Sequence, residues 1–382
     1  MARIYLDHAA TTPVRPEVVD AMVPLFRGGY NPSSLHAEGR AARAALDAAR
    51  EAVARVLGAA PREVVFTGSG SEADVLAVVG AARARADRGR HVVTVTTEHH
   101  AVLHAVDVLE RDGWRVTRLP VGRDGLVDPE AFAAALTAET TVASVMLANN
   151  EIGVIQPVAQ FAQLARDRGI LFHTDAVQAA GWLPLAVDDL GVDLLSLSGH
   201  KFHGPKGVGV LYVRRGTPVE PLIVGGGQEN GLRAGTENLA GIAGFAAALA
   251  LAEAERPATA PRVAALRDRL ETGIVASIPD VVVNAAGAPR LPGNLSVAFA
   301  GAPSDALLIR LDLEGIAASA GSACAAGSLE PSHVSAALGL PAEYRLGVIR
   351  LSLGRGTTDA EVDDVLRRLP GVIADVRAPL AV

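Results

Sequence analysis

Between residues 60 and 215 the chain alternates two hydrophobic patterns. Short β-branched runs, apolar at almost every position, are followed by longer stretches in which apolar residues recur at helical spacing among Ala, Arg and Glu. The runs predict strands over Glu63–Thr67, His91–Thr96, Arg115–Leu119, Thr141–Leu147, Ile170–Thr174, Leu194–Leu197 and Val208–Val213. The longer stretches predict helices over Ser71–Arg88, His99–Arg111, Pro129–Leu136 and Pro157–Arg168. Strand–helix alternation of this kind implies a largely parallel sheet covered by helices on both faces. Such sheets collect ligands at the carboxyl ends of their strands.

After Gly225-Gly226-Gly227 the pattern changes. A helix over Glu237–Glu255 leads to Arg256-Pro257, which reads as a linker. Beyond it lie a helix (Val263–Ile278), strands near Val281–Val283, Leu295–Ala300 and Val348–Leu351, and a closing helix (Asp359–Val376). The chain is therefore expected to form a large α/β domain over residues 15–256 and a smaller one from residues 1–14 with 257–382.

Composition narrows the function classes. Of 382 residues, 49% are hydrophobic but only 4% aromatic, so the core must be mainly Ala, Val and Leu. A net charge of −7, with no basic tract beyond scattered Arg-x-Arg, argues against nucleic acid as the ligand. The longest apolar stretch, Leu239 to Ala252, is too short to span a bilayer, and the amino terminus lacks the apolar core of a secretory signal. A single cysteine rules out an intrachain disulfide and fits a reducing compartment, so a cytoplasmic protein is expected.

Four segments carry candidate chemistry. Gly68-Ser69-Gly70-Ser71-Glu72-Ala73 follows a strand and opens a helix, where amide groups and the positive helix end favour a phosphate. It also matches a dinucleotide-binding pattern, but no acidic residue ends the next strand at the expected distance. Asp175, at the end of an apolar strand, could hold a protonated ring nitrogen or cap a helix. Lys201, in Ser198-Gly199-His200-Lys201, follows a buried strand in a loop of small residues, where a desolvated amine becomes a nucleophile; Lys206 is its rival in a turn open to water. Cys324 stands in Ala318-Ser319-Ala320-Gly321-Ser322-Ala323-Cys324-Ala325-Ala326-Gly327-Ser328, a small-residue run expected to act as a flexible tether. An anion cradle, a carboxylate and an imine-forming lysine, each after a strand, are together the parts that pyridoxal phosphate requires.

The chain resembles the cysteine desulfurases of the NifS/IscS type, within the fold-type I pyridoxal-phosphate enzymes and the class-V aminotransferases. The resemblance runs from Leu6-Asp7-His8-Ala9-Ala10-Thr11-Thr12 to Arg350-Leu351-Ser352-Leu353-Gly354. It passes through Thr97-Glu98-His99, Asn149-Asn150-Glu151-Ile152-Gly153, Asp175-Ala176-Val177-Gln178, Arg233-Ala234-Gly235-Thr236 and Gly321-Ser322-Ala323-Cys324. It implies a large domain with a mostly parallel seven-stranded sheet, and a homodimer that takes sulfur from L-cysteine, leaving L-alanine. Lys201 would bind the cofactor aldehyde, Asp175 the pyridine nitrogen and Gln178 the phenolic oxygen. His99 would stack on the ring and move protons. Gly70, Ser71, Ser198 and His200 would hold the phosphate, with Thr236 reaching in from the other subunit. Asn150 and Arg350 would orient the substrate carboxylate, Arg355 being the less favoured arginine. Cys324 would take the sulfur as a persulfide and pass it to a sulfur acceptor or iron–sulfur scaffold protein.

Three positions depart from the commonest family pattern: Val75 where asparagine is expected, Asn230 where arginine is frequent, and His100 in place of a lysine. His100 and His104, four apart on a predicted helix, raise a zinc alternative, but no acidic ligand at useful spacing accompanies them. His8 and His36 are candidates for the dimeric site, whereas the other histidines are expected to be satisfied locally.

Overall fold

Seven strands with no polar face can be buried only between two layers of helix, and that is the architecture found. The computed structural model of the chain describes residues 3–321 and 332–378. Its strands are β1 (Ile4–Tyr5), β2 (Val64–Thr67), β3 (His91–Val95), β4 (Arg115–Leu119), β5 (Thr140–Ser144), β6 (Leu171–Asp175), β7 (Leu194–Ser198), β8 (Gly209–Val213), β9 (Val281–Val283), β10 (Asn294–Phe299), β11 (Ile316–Ala317) and β12 (Val348–Ser352). The large sheet runs β2-β8-β7-β6-β5-β3-β4. Only β8 is antiparallel to its neighbours, so the carboxyl ends of the other six lie on one edge.

Side chains alternate across this sheet. Val64, Phe66, Val93, Ala143, Phe172 and Leu195 face one core, while Val65, Val92, Val142, Leu171 and Leu194 face another. Every residue of β2, β3, β5, β6, β7 and β8 is buried. The edge strand β4 begins with an exposed arginine and is only half-buried along most of its length, which blunts the free edge. All seven strands lie within a few residues of where the sequence pattern predicts them.

A third core joins Ile4 and Leu6 to Leu270, Ile274, Leu295, Val297, Ile349 and Leu351 around the antiparallel sheet β12-β10-β9. The expected break at Arg256-Pro257 is not there. One helix, Leu239–Ser277, runs for 39 residues through Pro257 and Pro261. Both prolines are exposed, and the helix continues through them because the residues on either side are packed into the two cores. Its first half packs Leu239, Ile242, Phe245 and Leu249 into the core of the large sheet. Its second half packs Val263, Leu266, Leu270 and Ile274 into the core of the small one. The predicted helix over Ser71–Arg88 is likewise altered: α-helix over Gly70–Val75, a π turn over Leu76–Gly80, and α-helix again only to Ala84. Among the described residues, no helix is long and apolar enough to cross a membrane.

Candidate active site

The carboxyl edge of the large sheet opens into a cavity of about 520 Å³. Ser69, Gly70 and Ser71 come to it from the end of β2, His99 from the turn after β3, and Asn150 from the turn after β5. Asp175 and Gln178 come from the end of β6, and Ser198, His200 and Lys201 from the end of β7. Arg350 arrives from β12 of the other core. Eleven positions singled out by sequence thus line one space: Gly70, Ser71, His99, Asn150, Asp175, Gln178, Ser198, His200, Lys201 and Arg350, with Lys206 exposed at the rim. Thr236 is exposed and outside it. Cys324 lies outside the described residues.

The anion end is shaped by what is missing. A Cβ on Gly70 would lie 2.9 Å from Ser198 Cβ and 3.0 Å from a Val177 methyl, so only glycine lets the helix start come this close to β7. Gly209 serves from below, where a Cβ would meet the Ser69 backbone at 2.4 Å. The Ser69 side chain caps the helix by accepting from the Glu72 amide at 3.1 Å. Burial, then the charges of Lys201 and Lys206, lower the His200 pKa to about 4, and its Nδ1 lies 3.1 Å from Thr11 Oγ1. A neutral imidazole, two serine hydroxyls and a close-packed backbone can together surround a small anion.

Asp175 also lines the cavity and is 4% exposed. Its Oδ1 accepts from the Val177 amide at 2.8 Å within a turn; no helix starts there, so the helix cap that the sequence allowed is not formed. Burial raises its pKa to about 6 against the opposing pull of the Val177 amide and the Lys201 charge. A buried acid in that condition gains most from a cation such as a protonated ring nitrogen.

The N-terminal segment supplies the remaining wall. Ala9 and Ala10 carbonyls accept from Lys201 Nζ at 2.6 and 2.9 Å, and Ala9 O also accepts from Gln178 Nε2 at 2.9 Å. These bonds aim the amine and leave the second Gln178 N–H able to donate elsewhere. His99 caps the helix His100–Arg111, its Nδ1 accepting from the Ala101 amide at 3.2 Å. Burial, then the Lys201 charge, lower the His99 pKa to about 4. A neutral ring whose Nδ1 accepts carries its proton on Nε2, so His99 meets the cavity as a donor.

Arg350 is buried, and three of its five N–H groups are held. Nη1 donates to Asn150 O at 2.9 Å and Gly321 O at 2.7 Å, and Nη2 donates to Asp7 Oδ1 at 2.8 Å. Its Nε has no partner among the described residues. Nε–H with the second Nη2–H makes the side-on fork that fits a carboxylate. Arg355, the rival arginine, pairs with Glu255 instead.

Sequence reasoning assigned no role to the carboxyls beneath the cavity. Asp74 and Glu98 are buried, and burial followed by the charge of Asp175 pushes both well above the ordinary carboxylate range. Among the described residues Asp74 Oδ1 and Glu98 Oε2 have no hydrogen-bond partner, His173 Nε2 standing 3.7 Å from the former. Asp74 stands four residues after Gly70, on the helix face that turns inward, which was a legible signal. The pairing of Asp7 with Arg350 spans 343 positions and had none.

The remaining histidines divide. His91 bonds Thr140 and Thr117, and His173 bonds Ser144 and Ser196, as expected of local satisfaction. His36 caps the helix Ala37–Leu57. His8 packs edge-on against Tyr5. The His100 ring lies 5.3 Å from His104 and 4.6 Å from His333, yet the one set of ligand atoms within 4.8 Å of one another among the described residues is Asp74, His99 and Asp175.

Residues 4–365 match the family model described as aminotransferase class-V. The chain is 47% identical over 375 residues to the cysteine desulfurase IscS of Dictyoglomus turgidum, covering 98% of this chain and 95% of that protein. It is 47% identical over 381 residues to the cysteine desulfurase NifS of Azotobacter vinelandii, covering 99% and 94%. A solved NifS-like protein superposes with a TM-score of 0.92 at 36% identity, covering 98% of this chain and all of that one. The solved protein SspA, in complex with cysteine, superposes at 0.81 with 36% identity over 93% of this chain and 100% of that chain. The chain belongs to the class-V aminotransferase family and, within it, to the cysteine desulfurases of the NifS/IscS type.

Proposed function

We propose that this protein uses pyridoxal phosphate to take sulfur from L-cysteine, releasing L-alanine and leaving a persulfide on Cys324. One observation carries the reading: the Lys201 amine, the Asp175 carboxylate and the Gly70–Ser198 cradle meet in a single cavity. Membership of the family implies the cofactor, and the residues fit it. The strained Asp175 suits a pyridinium nitrogen, and the side-chain-free approach at Gly70 leaves room for a phosphate.

Bound there, pyridoxal phosphate supplies an electron sink next to the substrate's α-carbon and weakens the carbon–sulfur bond. The chain does the rest. Lys201 would hold the cofactor aldehyde through Nζ, and its amine would move the proton at the substrate α-carbon. Asp175 would accept from the ring nitrogen, and Gln178 would donate its second N–H to the phenolic oxygen. Ser71, Ser198 and His200 would hold the phosphate. His99 would lie against the ring and supply a proton from Nε2. The fork of Arg350, with Asn150, holds the substrate carboxylate and so fixes which bonds face the ring. The Cys324 thiolate attacks the substrate sulfur: a sulfur–sulfur bond forms, the carbon–sulfur bond breaks, and the electron pair stays with the carbon fragment that becomes alanine. Overall, L-cysteine and the Cys324 thiol give L-alanine and the Cys324 persulfide, so atoms and electrons balance without an added reductant.

We assign residues 15–256 to cofactor binding and residues 1–14 with 257–382 to carrying the nucleophile. A second copy of the chain completes the site through Thr236. The exposed apolar side chains of Phe26, Leu35 and Val224, at 69%, 89% and 78%, support such an interface. The persulfide passes to a sulfur-acceptor or iron–sulfur scaffold protein in the cytoplasm, where a lone thiol stays reduced.

Borohydride reduction of the holoenzyme followed by peptide mass spectrometry should find a pyridoxyl group on Lys201. Incubation with L-cysteine should give alanine and a persulfide on Cys324 in equal amounts. An adduct on Lys206, or none, would overturn the assignment.

A further inference from the structure

Glu151 is a buried acid that the reaction above leaves without a task. It follows Asn150 in a turn fixed by Asn149, whose Oδ1 accepts from the Glu151 and Ile152 amides at 2.8 and 3.0 Å. The residue is 2% exposed. Its Oε2 accepts from the Ser332 hydroxyl at 2.6 Å. The same oxygen would lie 2.7 Å from a Cβ on Gly321, a residue held at a φ of 98° that glycine alone adopts easily. Its Oε1 is buried without a partner among the described residues.

Gly321 and Ser332 are the two residues that flank 322–331, the segment in which Cys324 stands. One carboxyl therefore bonds the residue at one end of that segment and closes in on the residue at the other, leaving no room for a side chain there. Gly321 is tied further: its carbonyl accepts from Arg350 Nη1, and Ser319 exchanges backbone hydrogen bonds with Arg350 itself. The ends of the nucleophile's segment and the proposed carboxylate clamp thus form one connected unit with Glu151 at its back.

We propose that Glu151 is a positioning residue for sulfur transfer, bonding Ser332 and packing close against Gly321, so that the residues from which the Cys324 segment leaves and returns stay in register with Arg350. The inference rests on the desulfurase reading. A reacting group is delivered best when the residues from which it is presented are fixed, since a small misplacement lowers its effective concentration at the substrate sulfur. Burial raises the Glu151 pKa against the opposing contributions of Ser332, Arg350 and His100. An amide in that place keeps an oxygen able to accept from the Ser332 hydroxyl.

The test separates chemistry at the cofactor from delivery of the thiol. The holoenzymes of wild type, Glu151→Ala, Glu151→Gln and Ser332→Ala are compared in two assays. One is exchange of the α-proton of L-alanine in deuterated water, which needs no thiol. The other is the single-turnover rate of persulfide formation on Cys324 from L-cysteine. Glu151→Ala should slow persulfide formation by ~10- to 100-fold, the scale set by a small misplacement of a reacting group, and leave proton exchange within about 2-fold. Glu151→Gln should recover most of the rate, and Ser332→Ala should lose a few-fold in the same direction. Should Glu151→Ala fail to fold, Ser332→Ala decides alone.

Unchanged persulfide formation in Glu151→Ala, or in Ser332→Ala where it decides alone, overturns the proposal. So does an equal loss in both assays that glutamine does not restore. Absence of persulfide in the wild-type protein would instead strike the desulfurase reading.

Discussion

Glu229 and Asp74 are both buried acids of the large domain, 5% and 1% exposed, and the fold treats them in opposite ways. Glu229 takes two bonds from Arg50, both at 2.7 Å, and a third from the Phe66 amide at 2.9 Å. That set holds it in place despite a φ of 48°, which a side chain normally avoids. Asp74 has one oxygen with no hydrogen bond among the described residues; Asp175 and Glu98 repel it, and the Ser196 hydroxyl alone offsets them. Buried acids that serve the fold are paired completely. Those under the cavity are left short of partners, the arrangement expected where a positive ligand is to be received.

The largest effect that would break this comparison is on stability. Glu229→Ala leaves Arg50 facing a void and should cost about 3–5 kcal/mol in urea unfolding. If it cost no more than Asp74→Asn, the contrast between the two regions would fail.

A second effect is read from pH. The carboxyl of Asp175 binds its proton more tightly folded than unfolded, because burial raises its pKa from 3.8 to about 6. With the cofactor removed, stability should therefore fall as pH rises from about 4 to about 6 and stay lower above that, by something of order 3 kcal/mol. Asp175→Asn should flatten that slope while weakening cofactor binding; denaturant titrations at pH 5 and pH 7 measure it. A slope indifferent to the substitution would mean that the acid is not held under strain.

The smallest effect sharpens the contrast from the other side. Asp74→Asn replaces a carboxyl that burial already drives toward its neutral form, so its cost should stay within about 1 kcal/mol.

Much of the cavity was legible because its parts follow strands. A strand's register places its last residue at the sheet edge, so Asp175 and Ser198 could be located once β6 and β7 were recognised. Lys201 and Gly70 follow within a few positions of such an edge. Residues that reach the same space across the chain were not legible in that way. Nothing near Asp7 marks it as the partner of Arg350, and nothing near Ala9 marks its carbonyl as the acceptor for Lys201. Pro257 misled because proline's local cost to a helix is outweighed by the packing of both helix halves into two cores, which only the fold supplies.

Apolar runs and their spacing were enough to determine the strands, the helices between them and the chemical kinds of side chain displayed at their ends, since these follow from local periodicity. Tertiary structure decided which acids were paired and which were not, how the guanidinium of Arg350 spends its donors, and that Glu151 reaches both Gly321 and Ser332. Desolvation and hydrogen-bond completeness depend on every neighbour at once, and neighbours distant in sequence are assigned only by the fold.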